Sequence, residues 1–98
     1  MEALKIAIRD KAIDTINEVA EWYNINMGKK SAQNFVDGIW KTINLLSTMP
    51  TIGIVDKNLS KGKRKYYSFL SHPKYRVVYR FTKRILYIVA IRATMMNK

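Results

Sequence analysis

The segment HPKYRVVYRF, residues 72–81, decides how this chain folds. From Lys74 onward it alternates cleanly, which is the two-residue period of a β-strand. Tyr75, Val77, Tyr79 and Phe81 share one face, and Lys74, Arg76, Val78 and Arg80 share the other. An apolar face needs a second layer to cover it, so helices must lie elsewhere in the chain. The opposite face, with Arg76 and Arg80, is left for solvent or a partner.

Working outward, Thr82 and Lys83 read as a tight hairpin, and Arg84 to Ile91 as a final strand. That strand is apolar on both faces, which suits a central position in a sheet. Upstream, Tyr66 to Leu70 is an aromatic-rich strand, and Ser71, His72 and Pro73 form a turn. Residues 50–64 hold Pro50, Gly53, Asn58 and Gly62 without a clear period. They read as a long loop, of the kind that more often carries function than short ones do.

The missing layer lies in the first half. Leu4, Ile6 and Ile8 alternate as a short strand, and Asp10 stands where a helix N-cap belongs. Ile13, Ile16, Val19, Ala20 and Tyr23 then recur at helical spacing until Gly28. A second stripe, Ala32, Phe35, Val36, Ile39, Trp40, Ile43 and Leu46, runs to Met49, where Pro50 disfavours further helix. So short a turn makes the pair an antiparallel hairpin. Trp22 and Trp40 are expected at its seam, or alternatively in a groove for a partner segment. The fold class is therefore α+β, with order β-α-α-β-β-β. The helical hairpin packs on one face of a small, mainly antiparallel twisted sheet, in one domain over residues 1–98.

Charge is segregated along the chain. Seven acids and six bases nearly balance up to Asp56, after which there are twelve Lys and Arg and no acid. The net charge of +11 thus comes from the C-terminal part. Such a field favours a polyanionic partner: nucleic acid, an acidic protein or an anionic surface. There is no cysteine, so thiol chemistry and disulfides are excluded. A single histidine does not make a conventional zinc site, and no metal or cofactor is expected. The longest apolar run, Ile85 to Ile91, is far short of the roughly 20 residues that cross a bilayer. No membrane association is expected, and the location expected is the cytoplasm.

Several segments together resemble a known family. They are Ala12-x-Asp14-x-Ile16 with Val19 and Tyr23, Ala32-x-x-Phe35 with Ile39, Ile43 and Leu46, Met49-Pro50 with Gly53, HPKYRVVYRF, and ILYIVAIRA. In this order they resemble the RelE/ParE toxin superfamily of type II toxin–antitoxin systems, of the plasmid-stabilisation type, over almost the whole chain. The resemblance implies a helical hairpin on an antiparallel sheet and a cognate antitoxin that wraps the toxin in a hetero-oligomer. It implies one of two activities: ribosome-dependent mRNA cleavage, as in RelE-like members, or non-enzymatic poisoning of DNA gyrase, as in ParE-like members. The cationic face leads to the RelE-like endoribonuclease as the first expectation and the gyrase inhibitor as the alternative.

Site residues follow from the resemblance. Arg76 matches the strand arginine placed at the scissile phosphate, where a guanidinium stabilises developing charge bidentately. Arg80 and Arg92 join it as expected catalytic or phosphate-binding residues. Lys61, Lys63, Arg64 and Lys65 form a basic cluster. It is displaced from the strand lysines of the nucleases, so it reads as nucleic-acid binding, together with Arg76 and Arg80, rather than as a base. His72 has a side chain that titrates near neutrality but precedes Pro73 in a turn, so it reads as structural. Tyr75, Tyr79 and Tyr87 read as core, and Met95 and Met96 as part of an apolar patch for a partner.

Overall fold

A computed structural model describes residues 3–57, 60, 64–72 and 74–94, with His72 described as backbone only. The expectations for Lys61, Lys63, Pro73, Met95, Met96 and the His72 side chain lie outside the described residues.

Strand β1 (Lys5–Ile8) leads into helix α1 (Asp10–Met27) and helix α2 (Lys29–Thr48). A 3-10 turn follows at Pro50–Ile52, then strands β2 (Ile54–Val55), β3 (Tyr67–His72), β4 (Tyr75–Phe81) and β5 (Ile85–Ala93). The sheet order is β1-β5-β4-β3-β2. β1 runs parallel to β5 and every other pairing is antiparallel.

The helices join through Gly28 alone, at φ +99. A β-carbon is strained in that conformation, so glycine is the residue that permits so abrupt a reversal. Asp10 is not the N-cap. Arg9 takes that place without a side-chain capping bond, and Asp10 sits in the first turn. Its carboxylate still lies at the positive end of the helix dipole.

Ile16 and Tyr23 of α1 and Phe35, Ile39, Ile43 and Leu46 of α2 meet Val77 and Tyr79 of β4 and Leu86, Ile88 and Ile91 of β5 in one core. Burying an aliphatic or aromatic side chain of this size contributes about 1.5–3 kcal/mol. Tyr23, Phe35 and Tyr75 form a chain of ring contacts with centroids 5.5 and 5.3 Å apart. The tryptophans lie outside this seam: Trp22 is 53% and Trp40 41% exposed. Trp40 shares the helical stripe of its neighbours, yet neither tryptophan belongs to the buried core.

Within the expected loop, Pro50–Ile52 form a 3-10 turn and Ile54–Val55 a short strand. Tyr79 donates its hydroxyl hydrogen to the Pro50 carbonyl at 2.7 Å and accepts from the Gly53 N–H at 3.0 Å. This pins the 3-10 turn to the sheet and places Ile54–Val55 as an edge strand along β3. β3 also runs on through His72, beyond its expected end at Leu70. The Thr42 and Ser71 hydroxyls, 2.7 Å apart, tie α2 to β3 from the buried side. None of the helices, over the described residues, is long and apolar enough to cross a membrane.

Candidate nucleic-acid or protein interface on the open sheet face

Alternation along β4 sends Val77 and Tyr79 toward the helices and Arg76 and Arg80 to the open side. On β5 the alternation is broken. Val78 pairs with Ala90 and Tyr79 with Ile88, so Val89 is an extra residue in the ladder. Such a bulge shifts the side-chain phase. Ile91 and Ile88, three apart, both face the core, and Tyr87 is thrown to the open face. Tyr87 is therefore not a core tyrosine. Its ring lies under the Arg80 guanidinium, 4.0 Å from carbon to centroid.

Arg76 and Arg92 are direct register partners across β4 and β5. With Asp56, Ser68 and Thr94 they line a cavity of about 260 Å³. The Arg76 Nε donates to the Ser68 hydroxyl at 3.1 Å, which fixes the plane of its guanidinium. Arg92 lies 3.8 Å from the Asp56 carboxylate. Asp56 is held in turn by its backbone: its N–H donates to the Tyr66 carbonyl at 2.7 Å, and its carbonyl accepts from the Ser60 N–H at 2.9 Å. Two guanidiniums with a largely covered carboxylate beside them make a cationic cleft whose charge is partly compensated from within.

Arg80 does not belong to that cleft. It stands four residues along β4, roughly 13 Å away at ordinary strand rise, with Val78 and Ala90 between. Its neighbours are Arg64 and Lys65, which with Tyr67 and Phe81 line a separate cavity of about 410 Å³. The expected single arginine cluster is thus two separate sites: Arg76 with Arg92 on the open face, and Arg80 with Arg64 and Lys65 where Tyr67 and Phe81 of the opposite face also reach the cavity. Asp56 is the residue that sequence reasoning passed over. Its signal was its position as the last acid before a run of twelve cations, where it had marked only a boundary.

Two helices on one face of a five-stranded mixed sheet, with arginines paired on the other, define a small α+β domain built to present a cationic surface. The chain belongs to the ParE toxin family of type II toxin–antitoxin systems (parDE), whose pattern it matches over residues 6–98. No curated protein matches it. Among solved structures it is similar to the chromosomal ParDE toxin–antitoxin system from P. aeruginosa, with TM-score 0.74 and 15% identity, covering 93% of this chain and 96% of that one. It is also similar to the YoeB dimer from Staphylococcus aureus, with TM-score 0.60 and 19% identity, covering 93% and 97%. A YoeB/ParE toxin from Agrobacterium tumefaciens aligns with TM-score 0.60 and 19% identity over 92% and 98%. At these identities the likeness is one of fold.

Proposed function

We propose that this toxin is a ParE-type, non-catalytic inhibitor of DNA gyrase, neutralised by a cognate antitoxin. The Asp56–Arg92 ion pair carries this reading. Cleaving RNA through its own 2′-hydroxyl builds extra negative charge on the phosphate, and unopposed guanidiniums stabilise it best. Here a carboxylate already compensates one of the two. Arginine is also a poor general acid, because a guanidinium does not give up its proton in proteins. The cleft is better suited to gripping an anionic surface than to moving protons through a transition state. Membership of the ParE family points the same way. The test is DNA supercoiling by purified gyrase with the toxin in excess. Loss of supercoiling is expected, and normal supercoiling overturns the proposal.

One observation favours the RelE-like reading, ribosome-dependent mRNA endonuclease. Arg76 and Arg92 face each other across two strands, and Asp56 stands beside them as a proton acceptor for the attacking hydroxyl. The products of that reaction are a 2′,3′-cyclic phosphate and a free 5′-hydroxyl. Primer extension on cellular mRNA after induction separates the readings: new ends within codons favour cleavage, and intact transcripts in arrested cells exclude it.

The antitoxin partner must offer both acidic and apolar residues. The cationic face calls for the first. Trp22, Ile25 and Met27, each more than half exposed on α1, call for the second. Co-purification with the product of the adjacent reading frame is the expected result.

A further inference from the structure

We propose that Arg80, Arg64 and Lys65 form a second anion site, which takes a phosphate of a nucleic-acid backbone separately from the Arg76–Arg92 cleft. The inference goes beyond the gyrase reading and does not depend on it. Three features of the site support it.

The first is the state of Arg80. Its Nε is buried and has no hydrogen-bond partner among the described residues, while the Tyr87 ring covers the guanidinium at 4.0 Å. Burial strips water from the Nε, and the ring strips it from one face of the guanidinium. A guanidinium so dehydrated interacts more strongly with an anion than a hydrated one does. The second is convergence. Arg64 and Lys65 line the same cavity of about 410 Å³, and its lining contains no acid among the described residues. Three cations around one space exceed what a single carboxylate neutralises. Two non-bridging phosphate oxygens match the arginine fork, and lysine adds a point charge. The third is the wall. Tyr67 and Phe81 line the cavity beside the cations, and an aromatic surface next to a phosphate site is the arrangement on which bases of a single strand rest. The two sites are roughly 13 Å apart along β4, so they engage different phosphates of one polymer.

The test is binding of a labelled single-stranded oligonucleotide by the full chain across a salt series. Arg80→Gln is expected to make the slope of log affinity against log salt shallower by about one. Tyr87→Leu keeps the charge, so it is expected to leave the slope unchanged and weaken binding roughly two- to fivefold. In ¹H–¹⁵N spectra the Arg80 Nε–H resonance is expected to shift when the oligonucleotide is added. An unchanged slope in a folded Arg80→Gln variant overturns the site, as does a stationary Nε–H resonance. A glutamate-rich peptide of equal charge that shifts this resonance as strongly overturns the nucleic-acid assignment. Should Arg80→Gln fail to fold, the double variant Arg64→Gln/Lys65→Gln, altered at two exposed residues, must make the slope shallower by about two, and no change there overturns the proposal.

Discussion

The Asp56 carboxylate lies 3.8 Å from the Arg92 guanidinium, which puts the last acid of the chain inside the surface that its cations build. Asp56 is mostly covered and Arg92 is half exposed, so solvent screens the pair, and it holds the fold by no more than about 1 kcal/mol. Its larger expected effect is on the charge of the cleft, where it offsets one of two guanidiniums.

Asp56→Asn is therefore expected to leave the melting temperature nearly unchanged. Affinity for a polyanion should rise, and the salt dependence should steepen, because Arg92 is then uncompensated. Anisotropy titrations at several salt concentrations read both. An affinity no higher than that of the parent chain would show that the carboxylate does not tune the cleft.

Arg76→Gln should abolish growth arrest and gyrase inhibition in a protein that still folds. The bond from its Nε to Ser68, 3.1 Å long, supplies only about 1 kcal/mol of stability. Arg76→Lys should not restore function, since an ammonium lacks the planar fork that Ser68 orients. Full toxicity in the glutamine variant, with normal expression, would remove Arg76 from the interface.

Gly53 and Gly38 should respond oppositely to alanine. A β-carbon on Gly53 would collide with the Tyr79 hydroxyl and come within 2.9 Å of the Ser68 carbonyl oxygen. Overpacking of this kind costs about 1–3 kcal/mol. At Gly38, inside α2, nothing lies within 4 Å of the added carbon, and replacing a helical glycine stabilises by about 0.5–1 kcal/mol. Chemical denaturation of the two variants checks the order. Equal effects would mean that the turn at Gly53 yields.

Tyr79 makes the fold sensitive to alkali. Burial, chiefly, pushes its phenol from 10.0 up to about 12; the Gly53 hydrogen bond pulls the other way and Tyr67 adds to the rise. The folded-state value is the raised one, so the unfolded chain loses this proton first. The stabilisation is complete below pH 10 and disappears as pH climbs through 12. Tyr75, raised by burial and then by Tyr23, acts in the same direction. Tyr79→Phe should lose about 1–3 kcal/mol at neutral pH, from two broken hydrogen bonds. It should also show a shallower fall in melting temperature between pH 10 and 12. A fall as steep as that of the parent would assign the alkaline transition to other groups.

The elements that were legible in the sequence are those with a local period. The helical stripes through Ile16 and Ile39, the turn at Gly28 and the alternation of β4 each follow from a few neighbouring residues. So did the two faces of β4, and with them the side of the strand that carries Arg76 and Arg80, although both are half-buried there. The tryptophans misled because apolar spacing marks a helix face broadly, while the contact line between two helices is narrower. Strand β2 was missed because two residues, Ile54 and Val55, carry no period. They are held by a tyrosine hydroxyl twenty-six residues beyond Gly53.

On its own the order of residues determined the segregated charge, the helical hairpin and the cationic side of the central strand, because periodicity and composition act over short distances. Only the tertiary structure decided that Arg92 faces Arg76, that Asp56 reaches them, and that Arg80 stands apart over Tyr87. Those placements depend on strand register, on the bulge at Val89 and on an edge strand pinned from afar. Register and bulges come from packing between distant segments, and a one-residue shift in either sends a side chain to the opposite face.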